Sequence, residues 1–514
     1  MQKLLTAEEM RVVEENTINN FGIDSLVLMK NAATKIAETI ISNEDDLKSK
    51  VVTFICGPGN NGGDGVFAAE ILAKKGYNVK CYVIAKKSQI KGNIKKCLER
   101  LSKSIDTVIV DSNFSYDDIN DSDILVDSIF GIGFNSNPED GYYDAIHYIN
   151  NCKKTVYSVD IPSGIHGSTG FMEDIAVNAD YTITIQFPKL GLYLNDGYTY
   201  SGEVFIVDIG IPKGADEVVE SKIFLTEESD VKNILRKREL TSDKKDFGKV
   251  FNFAGSLATP GAAVLSSISC LRTGIGMLKL GIPMNISASI SSVYPEIMTI
   301  PLPYTQPGYT SLNAEKDIVK GFNWADAILV GPGLSVSPET KRVTKKLLSK
   351  YIEKPMVIDA DGLNILSENL DLLDKLGENT VLTPHDGEMS RISNTSKEFL
   401  SLDRLSICIE KAKSWNTNIV LKGTPTIISN ENGEVMIHVN KNPGLAVGGS
   451  GDVLAGILVS LMGQKYSIKE SILLALYIQK ISGEKAKEEK GEYSVLPTDQ
   501  ISEIPYAIKK IREM

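Results

Sequence analysis

The chain has 514 residues, 42% hydrophobic and 24% charged, which suits folded domains and is length enough for two to four of them. A net charge of −11 argues against nucleic acid or anionic membrane as partner, so any phosphate-bearing ligand must be held by local devices. The six cysteines (Cys56, Cys81, Cys97, Cys152, Cys270, Cys408) form no CxxC pair, which disfavours a disulfide scaffold or zinc site and fits a reducing cytoplasm.

The opening MQKLLTAEEMRVVEENTI reads as an amphipathic helix with acids on its polar face, and no apolar run is long enough to span a bilayer. VVTFIC (51–56) is a β-branched apolar run ending in GPGNNGGDG. VFAAEILAKKG then has helical spacing and closes on Gly76, and NVKCYVIA reads as a second strand. Strand-like runs recur near 107, 123, 155, 181 and 203. This alternation predicts a parallel sheet covered on both faces. It pauses in the polar stretch 211–224, which puts the domain boundary there, with domains at 1–213 and 225–514. The second series runs through GKVFNFAGS, the helical PGAAVLSSISCLRTGIG, ADAILVGPGLS, PMVIDADGLN, NTVLTPHDGE, NIVLKGTPTII and GEVMIHVN, with the last helices spanning about 452–488. The expected fold is α/β, two tandem three-layer domains, the first Rossmann-like.

GPGNNG (57–62) satisfies GxGxxG between a strand and a helix, but a dinucleotide-binding Rossmann strand pair would place an acid at the end of the second strand. That strand ends in Ala85, Lys86 and Lys87. Asp127, Asp160 in VDIPSG and Lys189 in FPKLGL also fall at strand C-terminal ends, where open α/β sheets collect ligands. Taken singly they read as an N-cap, a turn neighbour and a solvated charge. Asn61, Asp127 and Ser163 supply hard oxygen donors only, which suit a monovalent or hard divalent cation better than zinc.

NNGGDG, DSIFGIGF, VDIPSG and FPKLGL, in that order, resemble the YjeF N-terminal domain of the NAD(P)H-hydrate epimerase family over about residues 1–213. The resemblance implies that Asn60, Asn61, Gly62, Gly63 and Asp64, with Gly131, Ile132, Gly133, Phe134 and Asn135 in the loop 131–137, cradle the damaged cofactor. It also implies that Asn61, Asp127 and Ser163 hold potassium, and that Asp160 contacts the reacting end. Asp160, with Lys189, is the acid/base candidate there, and Lys86 and Lys87 could meet a 2′-phosphate.

In the second half, NPGLAVGGSGDVLAG (442–456) places Gly448, Gly449, Ser450, Gly451 and Asp452 ahead of an apolar helix. Glycines let backbone amides turn toward an anion, and the helix start adds roughly half a positive charge. An acid in that place points to proton transfer, although a lone GGSGD can equally be a turn with Asp452 as N-cap. Asp359 and Asp361 in DADGLN could bind Mg²⁺ through water or cap the following helix. Lys422 could meet a nucleotide phosphate, and His385, one of four histidines, sits in a strand-end loop.

This set resembles the ribokinase-like superfamily, and TPHDGE, KGTPT and NPGLAVGGSGD are similar within it to the NAD(P)H-hydrate dehydratase family over about 225–514. The resemblance implies that Ala262, Gly333, His385 and Asp452 face the hydrated nicotinamide. Lys422, Gly423, Thr424, Pro425 and Thr426, with the 442–451 loop, would bind the nucleotide, ADP or ATP, with Mg²⁺. Substrates would be NADHX and NADPHX, the hydrates of NADH and NADPH, and a homo-oligomer is the expected assembly.

The chemistry follows from leaving-group strength. Hydroxide is a poor leaving group, the pKa of water being about 15.7, whereas phosphate, with a second pKa of about 6, departs readily. Asp452 is expected to take the C6 hydroxyl proton while a phosphoryl group transfers to that oxygen, and phosphate elimination then restores the ring. The competing readings are a vitamin-precursor kinase and an N-terminal domain that only binds.

Overall fold

The computed structural model describes all residues except 87, 91, 101–106, 111–118, 135 and 352. Lys87 and Asn135 therefore lie outside the described residues. The chain divides into two compact units, Gln2–Ile223 and Phe224–Met514.

The first unit opens with helices α1 (Ala7–Asn19) and α2 (Ser25–Asn43). Its strands are β1 (Val51–Cys56), β2 (Asn78–Ile84), β3 (Thr107–Val110), β4 (Ile124–Ser128), β5 (Thr155–Val159), β6 (Tyr181–Ile185) and β7 (Glu203–Val207). They form a parallel sheet in the order β3-β2-β1-β4-β5-β6-β7. The order reverses between β1 and β4, opening a crevice at the strand C-terminal ends. Along β1, Val52, Phe54 and Cys56 pack into one apolar cluster and Ile55 into another. That two-residue alternation buries both faces of the sheet.

Helix α3 (Asn60–Lys74) starts ahead of the VFAAEILAKKG stretch where helical spacing begins, since NNGGDG forms its first turns. A Cβ on Gly62 would lie 1.9 Å from Gly57 O, and one on Gly65 would lie 2.5 Å from Ser128 Oγ. The glycines therefore let the helix start hard against the ends of β1 and β4. Their low helix propensity misled the sequence reading, and tertiary contact overrides it.

The second unit carries β8 (Lys249–Phe253), β9 (Met277–Pro283), β10 (Met298–Leu302), β11 (Ala327–Val330), β12 (Met356–Ile358), β13 (Thr380–Leu382), β14 (Asn418–Leu421), β15 (Thr426–Ser429) and β16 (Val435–His438). They run in the order β16-β15-β14-β13-β12-β11-β8-β9-β10, parallel from β14 to β10 and antiparallel from β14 to β16. The relevant helices are α4 (Pro260–Arg272), α5 (Asp361–Ser367), α6 (Asp386–Ser393), α7 (Ser450–Gly463), α8 (Ile468–Lys490) and α9 (Pro497–Glu513).

Strands β9 and β10 and helix α9 are absent from the sequence reading. Pro283 and Pro301 mask the strands, and proline is tolerated at a strand end or on a peripheral strand because no ladder N–H is required there. Helix α7 is buried all round from Val453 to Gly463 and crosses α4 closely, where a Cβ on Gly456 would meet Ser269 Oγ at 2.0 Å.

Candidate active sites

In the first unit a cavity of about 590 Å³ opens over the switch point, lined by Asn60, Asn61, Asp64, residues 129–134 and Asp160, among others. Asp160 follows β5 with φ +68°, a left-handed conformation that a non-glycine residue holds only where its surroundings enforce it. Those surroundings are visible. Lys189 donates to Asp160 Oδ1 at 2.5 Å and to Ile185 O at 2.7 Å, and it is 1% exposed. Its reading as a solvated charge is thus corrected: it is an internal ion-pair partner.

Asp127 is fully buried and accepts from Ser158 Oγ (2.8 Å), Ser163 N (2.9 Å), Ser163 Oγ (2.5 Å) and Ile129 N (3.2 Å). Burial still pushes its carboxyl above the ordinary value, against those bonds. It caps no helix. Asn61 donates to Phe130 O at 2.7 Å, and among the described residues its Oδ1 is buried without a partner. An orphaned amide oxygen costs free energy unless something fills its place. Asn61 and Ser163 (3.4 Å) both reach the Phe130 carbonyl, and Ser163 links on to Asp127, so the oxygens of the three residues form a connected set of the hard donor type a potassium ion takes. Gly131 lies against Asn61, where a Cβ would be 3.1 Å from Asn61 Cβ.

In the second unit, Asp452 is the third residue of α7, and the N-cap is Gly449 with φ +104°. The capping explanation for Asp452 is therefore corrected. A Cβ on Gly449 would also strike Leu265 at 2.7 Å, whereas one on Gly448 would meet open space. Of these two, only Gly449 is sterically required. The first-turn amides of a helix have no intrahelical acceptor, and here they belong to the GGSGD segment.

Lys422, at the end of β14, donates to Asp359 Oδ1 at 2.8 Å and lies 3.9 Å from Glu388 Oε2. A Cβ on Gly451 would be 3.2 Å from Lys422 Nζ, which brings the lysine under the start of α7. Asp359 also accepts from Thr383 Oγ1 at 2.8 Å. Burial raises the Asp452 carboxyl to about 7, Asp359 adding to the rise, Lys422 opposing it, and Glu388 and Asp361 adding less. Burial works against the Lys422 charge, but Asp359, Glu388 and Asp452 together hold its value above that of an ordinary lysine.

His385 is the N-cap of α6. Its Nδ1 accepts from Gly387 N at 2.9 Å and Glu388 N at 3.2 Å, and Glu388 Oε2 accepts from His385 N at 2.9 Å. This reciprocal cap turns Glu388 inward to 5% exposure, where burial raises its carboxyl. The sequence reading missed Glu388, although the three-residue spacing from His385 resembles a capping box. It missed Arg404 as well, whose guanidinium binds Asp386 Oδ1, Pro425 O and Lys422 O at 2.9 Å each, tying the PHDGE and KGTPT loops together.

Gly333 lies against Ala262, where a Cβ would come within 3.0 Å, and its carbonyl accepts from Thr259 Oγ1 at 2.8 Å. Asp361 Oδ2 accepts from Ser335 N at 2.7 Å. Among the described residues no group of three metal-ligating side chains occurs, and Asp359 and Asp361 are both engaged by protein donors.

A family model described as NAD(P)H-hydrate dehydratase matches residues 251–506, and one described as YjeF-related protein N-terminus matches residues 25–191. The bifunctional NAD(P)H-hydrate repair enzyme of Dictyoglomus turgidum is 34% identical over 99% of both chains. The chain belongs to the bifunctional NAD(P)H-hydrate repair enzyme family.

The repair enzyme of Moorella thermoacetica is 32% identical over 99% of this chain and 97% of its own. A ribokinase-like superfamily protein from Enterococcus faecalis, 24% identical with a TM-score of 0.50, covers 58% of this chain and 99% of its own, and this likeness extends to the fold alone. Both units thus carry the fold of an NAD(P)H-hydrate repair enzyme, and among the described residues no helix is long and apolar enough to cross a membrane.

Proposed function

We propose that the first unit interconverts the R and S forms of NADHX and NADPHX, and that the second dehydrates the S form at the expense of ADP or ATP. The observation that carries the dehydratase reading is Asp452: a carboxyl raised to about 7, at a helix start, beside a lysine already neutralised by another acid. A base near that value is matched to neutral pH. Asp452 takes the C6 hydroxyl proton as that oxygen accepts the terminal phosphoryl group. The amides of Gly449 and Gly451 hold the phosphoryl oxygens. Phosphate then leaves C6 with the C6–O electron pair while C5 gives up a proton to solvent, and the C5–H electron pair becomes the restored C5=C6 double bond. Lys422 sits where it offsets the charge gathered on the transferred group.

The 442–451 loop and Lys422–Thr426 are assigned to the nucleotide, and Ala262, Gly333 and His385 to the nicotinamide end. Mg²⁺ would arrive with the nucleotide's phosphates, with Asp359 and Asp361 as the carboxylates that would hold it through water.

In the first unit Asn60, Asn61, Asp64 and the loop from Gly131 to Phe134 line the cavity with Asp160, and with Gly62 and Gly63 they are assigned to the hydrate. Potassium at Asn61, Asp127 and Ser163 would supply positive charge at the strand ends. Asp160, held by Lys189, does acid/base work on the hydroxyl of the C6 hemiaminal.

The test supplies S hydrate with ADP or ATP and follows inorganic phosphate beside reduced nicotinamide. Equal release of both supports the reading. A stable phosphorylated product without restored nicotinamide would overturn it in favour of a small-molecule kinase.

A further inference from the structure

Helix α1 lies outside the segment 25–191 that matches the N-terminal family model, yet it delivers a carboxyl to the cavity. Glu14 lines that cavity together with Asp64 and Asp160. The helix is pinned there at several points. Ala7 N donates to Ser168 Oγ at 2.9 Å, Arg11 Nη2 to Ile132 O at 2.9 Å, and Asn16 Nδ2 to Ala215 O at 2.8 Å. Arg11 and Glu14 are three residues apart and share one helix face, so the arginine that ties α1 to the Gly131–Phe134 loop also sets Glu14 over the cavity. One acid of the N-terminal helix is therefore turned inward, a correction to the solvent-facing reading.

Among the described residues no hydrogen bond is made by the carboxyl of Glu14 or of Asp64, and Asp64 is 8% exposed. Glu14 is half-buried, and a carboxyl withdrawn from water with no hydrogen-bond partner is costly to keep charged.

We propose, building on the epimerase reading of this unit, that Glu14 is the proton-holding residue that protonates the departing C6 oxygen of the hydrate. The Glu14 proton passes to that oxygen, the C6–O bond breaks with its electron pair, and water leaves. The N1 lone pair closes a C6=N1 bond, and the resulting cation is balanced by the Glu14 carboxylate. Water adding to the opposite face of C6 returns the electron pair to N1. It yields its proton to a second carboxylate, Asp160 beside Lys189, and solvent exchange or the reverse turnover resets both groups.

The surroundings suit this role. Burial raises Glu14 to about 7 against the pull of Lys189, with Asp160 reinforcing the rise and Arg11 opposing it. Asp64 faces the same space and is raised well above an ordinary carboxyl by burial, then by Asp160 and Glu14, with Lys189 opposing. A substantial protonated fraction of Glu14 is thus available at neutral pH, and it falls as pH rises past about 7.

The experiment follows conversion of isolated R hydrate to S by the full chain without nucleotide, across pH, for the wild type, Glu14→Gln and Glu14→Asp. The expected wild-type rate declines above an inflection near 7. Glu14→Gln loses about 100-fold or more together with that inflection, while Glu14→Asp is slower and keeps it. A Glu14→Gln protein with the wild-type rate and inflection overturns the proposal. Should Glu14→Gln not fold, Glu14→Asp decides alone: slower conversion supports the role, and an unchanged rate overturns it. Wild-type protein that does not exceed spontaneous epimerisation overturns the epimerase reading itself.

Discussion

Lys422 Nζ lies 2.8 Å from Asp359 Oδ1, and this ion pair sits beneath the helix start that carries Asp452. A lysine so placed has two effects. It keeps the neighbouring carboxyls from rising further, and it presents positive charge where a transferred phosphoryl group would gather negative charge.

Removing that ammonium tests both effects. In Lys422→Met the opposition to the Asp452 rise disappears, so the Asp452 value climbs above about 7. The dehydration rate against pH should then shift to higher pH, and its maximum should fall by about 100-fold or more. Initial rates on S hydrate at saturating nucleotide check this.

Asp452→Asn should lower dehydration by about 100-fold or more while leaving epimerisation of R hydrate intact. Its stability should also change in a defined direction. The folded carboxyl titrates near 7, above an unfolded value of about 3.9, so the folded chain binds this proton more tightly. The stability it contributes is fully present below about pH 4 and is lost as pH rises through about 7. Thermal unfolding should therefore show the Asn variant gaining on the wild type between these limits.

Gly62→Ala forces a Cβ to within 1.9 Å of Gly57 O. The first unit should lose about 1–3 kcal/mol or more, with epimerisation lost and dehydration of S hydrate retained. Unfolding followed beside the two activities checks it.

Asn61→Ala removes the orphaned oxygen beside Phe130. If potassium occupies that place, wild-type epimerisation should rise when potassium replaces choline in the buffer, and the variant should show no such response.

The sequence displayed the α/β alternation plainly, because strands such as VVTFIC and TVYSV are apolar runs between helical periods. The site loops were legible because glycine, asparagine and aspartate cluster at strand ends. What stayed hidden depends on packing. NNGGDG reads as a loop by propensity, yet Gly62 and Gly65 are helical because α3 abuts Gly57 and Ser128. Lys189 and Glu14 look like surface charges in one dimension, and only the fold turns them toward Asp160. Glu388 was overlooked because its inward turn depends on the cap it shares with His385.

Together the two units of one chain return both hydrate epimers to working cofactor. The most direct test adds the wild-type protein, with Mg²⁺ and ADP or ATP, to a mixture of R and S hydrates and follows reduced nicotinamide by its near-ultraviolet absorbance. Recovery should pass beyond the S fraction to the full amount, faster than spontaneous epimerisation permits. No recovery with either nucleotide would contradict the account.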